Sequence, residues 1–367
     1  MRITDVETLH LRLDQVLPEA DGTQECLLVR VETDTGLIGW GEVVSSSHVA
    51  KAVINAPRAA PFRHGLAVSL VGEDPLDGDA CYRKMIRDTA WLGPGGVVRH
   101  AISGIDMALW DIRAQARNVP LWKLLGGSRT VACYASVLWP RDPERIARMA
   151  QRLVGDGYTA VKFGWGPMGP DPVRDAELVA AARSGLGPSV RLMVDAGRAW
   201  DVDTALARVE AFAPYDLSWL EEALDPYDLQ GYRLLAKLSE IPIACGEIHA
   251  LESEFEAVLK CGIAYIQPDL GRVGGLTGAM SIEGAAAGTS TAIVPHAFGT
   301  SVLLSASAAF ASRQGARLTE FTRTESPLAR DLVRPDFVFK DGEITLGDRP
   351  GLGVELCADV LARYLIR

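Results

Sequence analysis

From about residue 128 to residue 329 the chain repeats one unit, a short β-rich run followed by a helical one. The β-rich runs are VACYASVL, TAVKF, VRLMVDA, LSWLEE, IPIACGE, AYIQPDL, TAIVPH and RLTEF, and seven helical stretches separate them. Strict alternation of this kind demands parallel strands joined by right-handed crossovers. Eight strands in about 200 residues suit a closed barrel better than an open doubly wound sheet. No Gly-x-Gly-x-x-Gly follows the first strand, which also weakens a dinucleotide-binding fold. The reading is a TIM-type α/β barrel over residues 128–329, with all strand ends gathered around one mouth.

The flanks have another rhythm. Residues 4–13, 25–33 and 37–44 alternate apolar and polar side chains, as half-buried antiparallel strands do, and the turn at Thr33-Asp34-Thr35-Gly36 joins the last two. Helical periodicity follows over 75–91 and 98–115, and Gly126-Gly127 stops the zone. Near the C-terminus, Lys340-Asp341-Gly342 separates two short β-rich runs and signals a hairpin. The expectation is an N-terminal α+β capping domain, residues 1–127, completed by residues 330–367.

Composition narrows the partners. The chain has 367 residues, 48% of them apolar and 23% charged, which suits a globular protein with a sizeable core. Its net charge of -10 and lack of a basic run leave no footprint for nucleic acid. No uncharged apolar stretch reaches the length of a membrane span, and the charged, alternating start is unlike a signal peptide. Six scattered cysteines without a Cys-x-x-Cys pair read as reduced core residues, so a cytoplasmic location is expected.

The strand ends carry the chemistry. Their ionisable residues are Lys162, Asp195, Glu221, Glu247, Asp269, His296 and Glu320, spaced by 33, 26, 26, 22, 27 and 24 residues, each close to one βα unit. So many charges around one mouth need a cation or a substrate to balance them. Asp195, Glu221 and Glu247 supply only hard oxygen donors, which suits Mg²⁺ and leaves room for water and substrate. The alternative is structural: mouth carboxylates paired with Arg198 and Arg272. His296 is the candidate base, with Asp269 one strand earlier to hold its tautomer. Lys162 could add positive charge beside a substrate carboxylate. His249, His48 and Trp165 are candidate substrate contacts, each with a plain packing or loop alternative.

These residues lie within a longer set of motifs: GWGE at 39–42, AISGIDMALWDI at 101–112 with PLWKLLGG, VDA at Asp195, WLEE at Glu221 and GE at Glu247. PDLGRVGG at Asp269, His296 and PGLGVE complete it. Together they resemble the enolase superfamily, in its mandelate racemase and muconate-lactonizing branch. The resemblance implies a modified (β/α)7β barrel under a capping domain, with Mg²⁺ held by Asp195, Glu221 and Glu247. It also implies removal of a proton α to a carboxylate by a Lys or His base, a substrate-carboxylate contact at Glu320, and a homo-oligomer.

The chain departs from that branch at two places. Lys-x-Lys at the end of the second barrel strand is here Lys162-Phe163-Gly164, so a second base is missing. Asp-x-His on the third strand is here Asp195-Ala196-Gly197, so a separate acid is missing. A racemase needs bases on both faces of its substrate. A single His296 that takes the α-proton and returns it to a β-hydroxyl describes dehydration of a sugar acid, aldonate or aldarate, to a 2-keto-3-deoxy acid. An epimerase or cycloisomerase with the same first step is the alternative. A Schiff-base aldolase using Lys162, or a non-catalytic sugar-acid binder, is the more distant one.

Overall fold

The computed structural model describes residues 1–17, 21–61, 63–315 and 317–366. Part of the 14–24 cap loop, residues 18–20, lies outside them. The N-terminal strands β1 (Ile3–Arg12), β2 (Glu25–Thr33) and β3 (Ile38–Val43) form an antiparallel meander. Helices α1 (Ser47–Asn55), α2 (Leu66–Leu70), α3 (Gly78–Asp88) and α4 (Val97–Ala116) follow. The periodic run expected over 75–91 thus yields a shorter α3: Asp77 caps it, accepting from Ala80 N, and a separate 3-10 turn covers Ala90–Leu92. Helix α4 lies directly on β3, because the glycines of GWGE have no side chains to keep it away. A Cβ on Gly41 would stand 1.9 Å from the Gly104 carbonyl oxygen. Val29, Val31, Ile102, Ile105 and Leu109 fill the core between sheet and helix.

After a short α5 (Leu121–Leu124) the barrel begins with β4 (Thr130–Leu138) and α6 (Pro143–Gly155). It continues through β5 (Ala160–Gly164), α7 (Pro172–Leu186), β6 (Arg191–Asp195), α8 (Val202–Phe212), β7 (Leu217–Glu221) and α9 (Leu229–Leu238). Then come β8 (Ile243–Cys245), α10 (Glu252–Leu259), β9 (Tyr265–Ile266), α11 (Gly275–Ala286), β10 (Ala292–Ile293), α12 (Ser301–Ala311) and β11 (Leu318–Thr322). The strands are parallel, in the order β10-β9-β8-β7-β6-β5-β4-β11. Among the described residues no backbone ladder joins β10 to β11. Side chains close that seam: Ala297 N donates to Glu320 Oε2 at 2.6 Å, and Thr322 Oγ1 donates to the Ala297 carbonyl at 2.6 Å.

Each strand alternates between two cores, as a two-residue side-chain period requires. Val161, Phe163, Leu192, Val194 and Leu220 face outward to the helices. Tyr134, Ala160, Met193, Trp219, Ala244, Val294 and Leu318 fill the barrel interior. The functional candidates sit above that interior layer.

The segment after β11 divides its contacts, which corrects the expected return of the whole tail to the cap. Past α13 (Pro327–Arg330) and β12 (Val333–Pro335), strands β13 (Phe337–Lys340) and β14 (Glu343–Leu346) form the hairpin. That hairpin pairs antiparallel with Thr130–Ala132 of β4, extending the barrel sheet. Ile344 is buried there, so the barrel wall supplies the apolar surface that the hairpin needs. Strand β15 (Val354–Leu356) pairs with β12. The loop before β15 and the last helix, α14 (Ala358–Tyr364), do run back to the cap: Leu352 N donates to Asp111 Oδ1 at 2.8 Å, and Ile366 N donates to the His10 carbonyl at 2.8 Å.

Candidate active site

The inward-facing register places Lys162 two residues after Ala160, Asp195 after Met193, Glu221 after Trp219, His296 after Val294 and Glu320 after Leu318. Glu247 breaks the phase, three residues after the interior Ala244. Gly246 between them has φ +135°, a conformation that side-chain-bearing residues rarely adopt, and turns the chain so that Glu247 reaches the same centre.

Asp195, Glu221 and Glu247 each offer an oxygen, and the three oxygens lie within 4.8 Å of one another. All three residues are buried. Burial, then repulsion from Glu221 and Glu247, pushes the Asp195 carboxyl well up, and burial raises Glu247 as well. The Glu247 Oε2 atom has no hydrogen-bond partner. The only side-chain cations paired with the trio among the described residues are Lys162, 2.5 Å from Glu221 Oε1, and His296, 3.2 Å from Glu247 Oε2. Arg272 instead donates to the carbonyls of Val44 and Ile248, and Arg198 lies over the Trp165 ring. The arginine-paired alternative is therefore not what the chain builds. Crowded, under-neutralised hard oxygen donors fit a divalent ion such as Mg²⁺.

Across the mouth, His296 Nδ1 lies 2.6 Å from Asp269 Oδ2, and Gly271 N donates to Asp269 Oδ1 at 2.7 Å. A carboxylate on Nδ1 assigns a proton to that nitrogen, so that in the neutral ring Nε2 is the acceptor. Burial alone would lower the imidazole pKa. Glu247 and Glu320, then the Asp269 hydrogen bond, outweigh it and hold the ring at about 10 when no cation is bound to the trio.

Lys162 also contacts Glu320 Oε1 at 3.0 Å. Burial works against its charge, but Glu221 and Glu320 overcome it and keep the ammonium protonated. An amine so held is a poor Schiff-base nucleophile. Burial would raise Glu320, yet Lys162 and His296 pull it down to about 2. That direction favours the ionised Glu320 carboxylate over the protonated form that could donate to a substrate carboxylate. Its carboxylate accepts instead, from Ser136 and from Ala297 N.

Of the remaining candidates, Trp165 lines the cavity with Lys162, Asp195, Glu247, His296 and the cap's Val44. The cavity measures about 390 Å³, and a wider groove of about 820 Å³ adjoins it past Trp165. His249 and His48 line neither. His249 is buried between Tyr227 and Phe255, its ring 5.7 Å from each, and burial lowers its pKa. His48 is exposed on α1, edge-on to His10. Sequence reasoning looked for charges and so passed over Ser136, on the cavity wall at β4, and Gln267, whose amide donates to Glu221 Oε2 at 2.7 Å. Gln267 was within reach of the two-residue period, being two before Asp269 on an inward face.

The missing second lysine also has a structural counterpart. Gly164 occupies its place, and a Cβ there would stand 2.6 Å from Asp195 Oδ2. A side chain at this position would press on a member of the trio.

Two family descriptions match the chain: "Mandelate racemase / muconate lactonizing enzyme, N-terminal domain" over residues 9–126 and "Enolase C-terminal domain-like" over residues 145–360. The D-galactarolactone cycloisomerase of Agrobacterium fabrum is 30% identical, over 99% of each chain. The L-talarate/galactarate dehydratase of Salmonella typhimurium is 34% identical, over 79% of this chain and 72% of its own. A solved racemase from Streptomyces coelicolor with bound magnesium superposes with a TM-score of 0.86 at 28% identity, covering 99% of this chain and 100% of its own. Enzymes of the superfamily use Mg²⁺, and a buried acidic trio of the kind that holds it is present here. The chain belongs to the mandelate racemase and muconate-lactonizing branch of the enolase superfamily.

Proposed function

We propose that this protein is a Mg²⁺-dependent dehydratase of a sugar acid, an aldonate or aldarate, with a single base. The observation that carries the reading is the His296–Asp269 pair at 2.6 Å beside the acidic trio, with Gly164 in place of a second lysine. Asp195, Glu221 and Glu247 would hold the ion, which supplies Lewis-acid polarisation of the substrate carboxylate. His296 Nε2 takes the α-proton, and the electron pair moves into a carbon–carbon double bond of the resulting enediolate. The Lys162 ammonium lies where it can offset charge developing on that carboxylate. Asp269 holds the Nδ1 proton and stabilises the imidazolium. The imidazolium then returns its proton to the departing β-hydroxyl, water leaves, and the enol tautomerises to the 2-keto-3-deoxy acid. The adjoining groove gives the hydroxylated chain room beyond the reacting carbons.

Full-length similarity to the D-galactarolactone cycloisomerase supports a second reading, in which the same proton removal acts on a cyclic substrate. A screen of aldonic and aldaric acids and their lactones with Mg²⁺ separates the two, with keto products trapped as semicarbazones. A dehydratase product is lighter than its substrate by one water; a cycloisomerase product has the same mass. No keto product from any open-chain acid would sink the dehydratase reading. Self-association in a cytoplasmic setting belongs to the same proposal, and light scattering at micromolar concentration tests the association. Among the described residues, no helix is long and apolar enough to cross a membrane.

A further inference from the structure

We infer that Glu42, which belongs to the cap, is a positioning residue for the base: it fixes the segment that carries His296 and so sets the geometry of the His296–Asp269 pair. The inference rests on His296 being the base of the proposed reaction. The barrel alone holds this segment poorly. Strand β10 is two residues long, its ladder runs to β9 only, and His296 lies three residues beyond its end. From there to α12 the backbone depends on side chains. Glu320 and Thr322 hold Ala297 from the barrel side. At the far end Glu42 holds Thr300 and α12 from the cap side. It accepts from Thr300 N at 3.0 Å, Thr300 Oγ1 at 2.6 Å and Leu303 N at 3.1 Å.

Glu42 is 2% exposed, so these bonds form in a medium of low polarity, where each is strong and its loss costly. They also put a carboxylate at the N-terminus of an 11-residue helix, where the helix dipole favours negative charge. The same strand end grips the other half of the pair. Val44 N donates to the Gly271 carbonyl at 3.1 Å, and Gly271 N is the donor to Asp269 Oδ1. Residues 42 and 44 therefore hold both loops of the pair, and the GWGE motif places Glu42 at that junction. Neither residue's bonds reach Asp195, Glu221 or Glu247.

The test uses the full-length protein and needs no substrate. The chain has only six histidines, so the deshielded Nδ1 proton of His296 can be followed by NMR with labelled imidazole, and Mg²⁺ binding by calorimetry. In Glu42→Ala the His296 signal should broaden or move upfield while Mg²⁺ affinity stays within about threefold of wild type. Glu42→Gln keeps one acceptor oxygen and should fall between. Asp175→Asn is the control: it breaks the buried Arg208–Asp175 bond between α7 and α8 and lowers Tm, but should leave the signal unchanged. If Glu42→Ala does not fold, Thr300→Val removes the hydroxyl partner and is read in the same way. An unchanged His296 signal in the Glu42 or Thr300 variant overturns the inference. So does a parallel loss of Mg²⁺ affinity, which would make Glu42 a general support. Failure of the reaction itself is read separately, from wild-type turnover in the sugar-acid screen.

Discussion

The two sides of the barrel mouth are built by different means. On one side, Asp195 and Glu221 are register partners on β6 and β7, strands with ladders on both edges, and Glu247 follows two residues past β8. Trp219 and Gln267 add hydrogen bonds to Glu221, so the trio is held from within the barrel. On the other side, Asp269 and His296 extend beyond two-residue strands, the second of them at the open seam, and cap residues help to hold them. On the proposed reading, the difference teaches that metal capacity is a property of the barrel, whereas the base depends on the barrel and cap together. Variants on the first side should lose the ion. Variants on the second should keep it and lose rate.

The largest effect expected is on the metal side. EDTA should abolish turnover, and Asp195→Asn, Glu221→Gln and Glu247→Gln should each weaken Mg²⁺ binding in calorimetry by removing an anionic oxygen. Turnover at the wild-type rate in metal-free buffer would break the comparison at its root. Lys162→Ala should come next. Loss of the ammonium should cut turnover about 10²–10³-fold, the range for deleting one stabilising donor, with Mg²⁺ still bound. If that variant no longer binds the ion, Lys162 belongs with the trio rather than with the reacting carboxylate.

A smaller effect is expected at Gly164. Gly164→Ala pushes a methyl group against Asp195, and Mg²⁺ affinity should fall about tenfold, as for groups that orient a ligand. Unchanged affinity would mean that Asp195 can yield without cost. The smallest effect concerns the cap. His100 on α4 is buried beside Arg272, and burial first, then the Arg272 charge, holds its pKa down at about 3. A folded value below the unfolded one means that the unfolded chain binds more protons. The His100 contribution to stability therefore falls as pH drops from about 6.5 toward 3, by up to about 1.4 kcal/mol per unit. His100→Gln should flatten the Tm profile over that window, and an unaltered slope would contradict the assignment.

Much of this was legible in the sequence because a barrel converts spacing into geometry. Ionisable residues one βα unit apart arrive at one mouth, and the eight strands follow from the alternation alone. The hidden parts are those where a rule of spacing gives way to contact. Glu247 needs the turn at Gly246, the tail hairpin prefers the β4 edge to the cap, and His249 is drawn between two aromatic rings. The ionisation of Glu320 is likewise set by neighbours, Lys162 and His296, which lower its pKa against burial. None of these neighbours is adjacent in sequence.

The central claim is that His296 is the one base. It is tested most directly by following α-proton exchange in D₂O, by NMR, with Mg²⁺ and a sugar acid that the wild-type enzyme turns over. Wild type should exchange that proton, and His296→Asn should slow exchange by at least the roughly 10²–10⁴-fold typical of general acid–base catalysis. Asp269→Asn, with the imidazole present but loosely held, should lose less. Exchange at the wild-type rate in His296→Asn would contradict the account and place the base elsewhere.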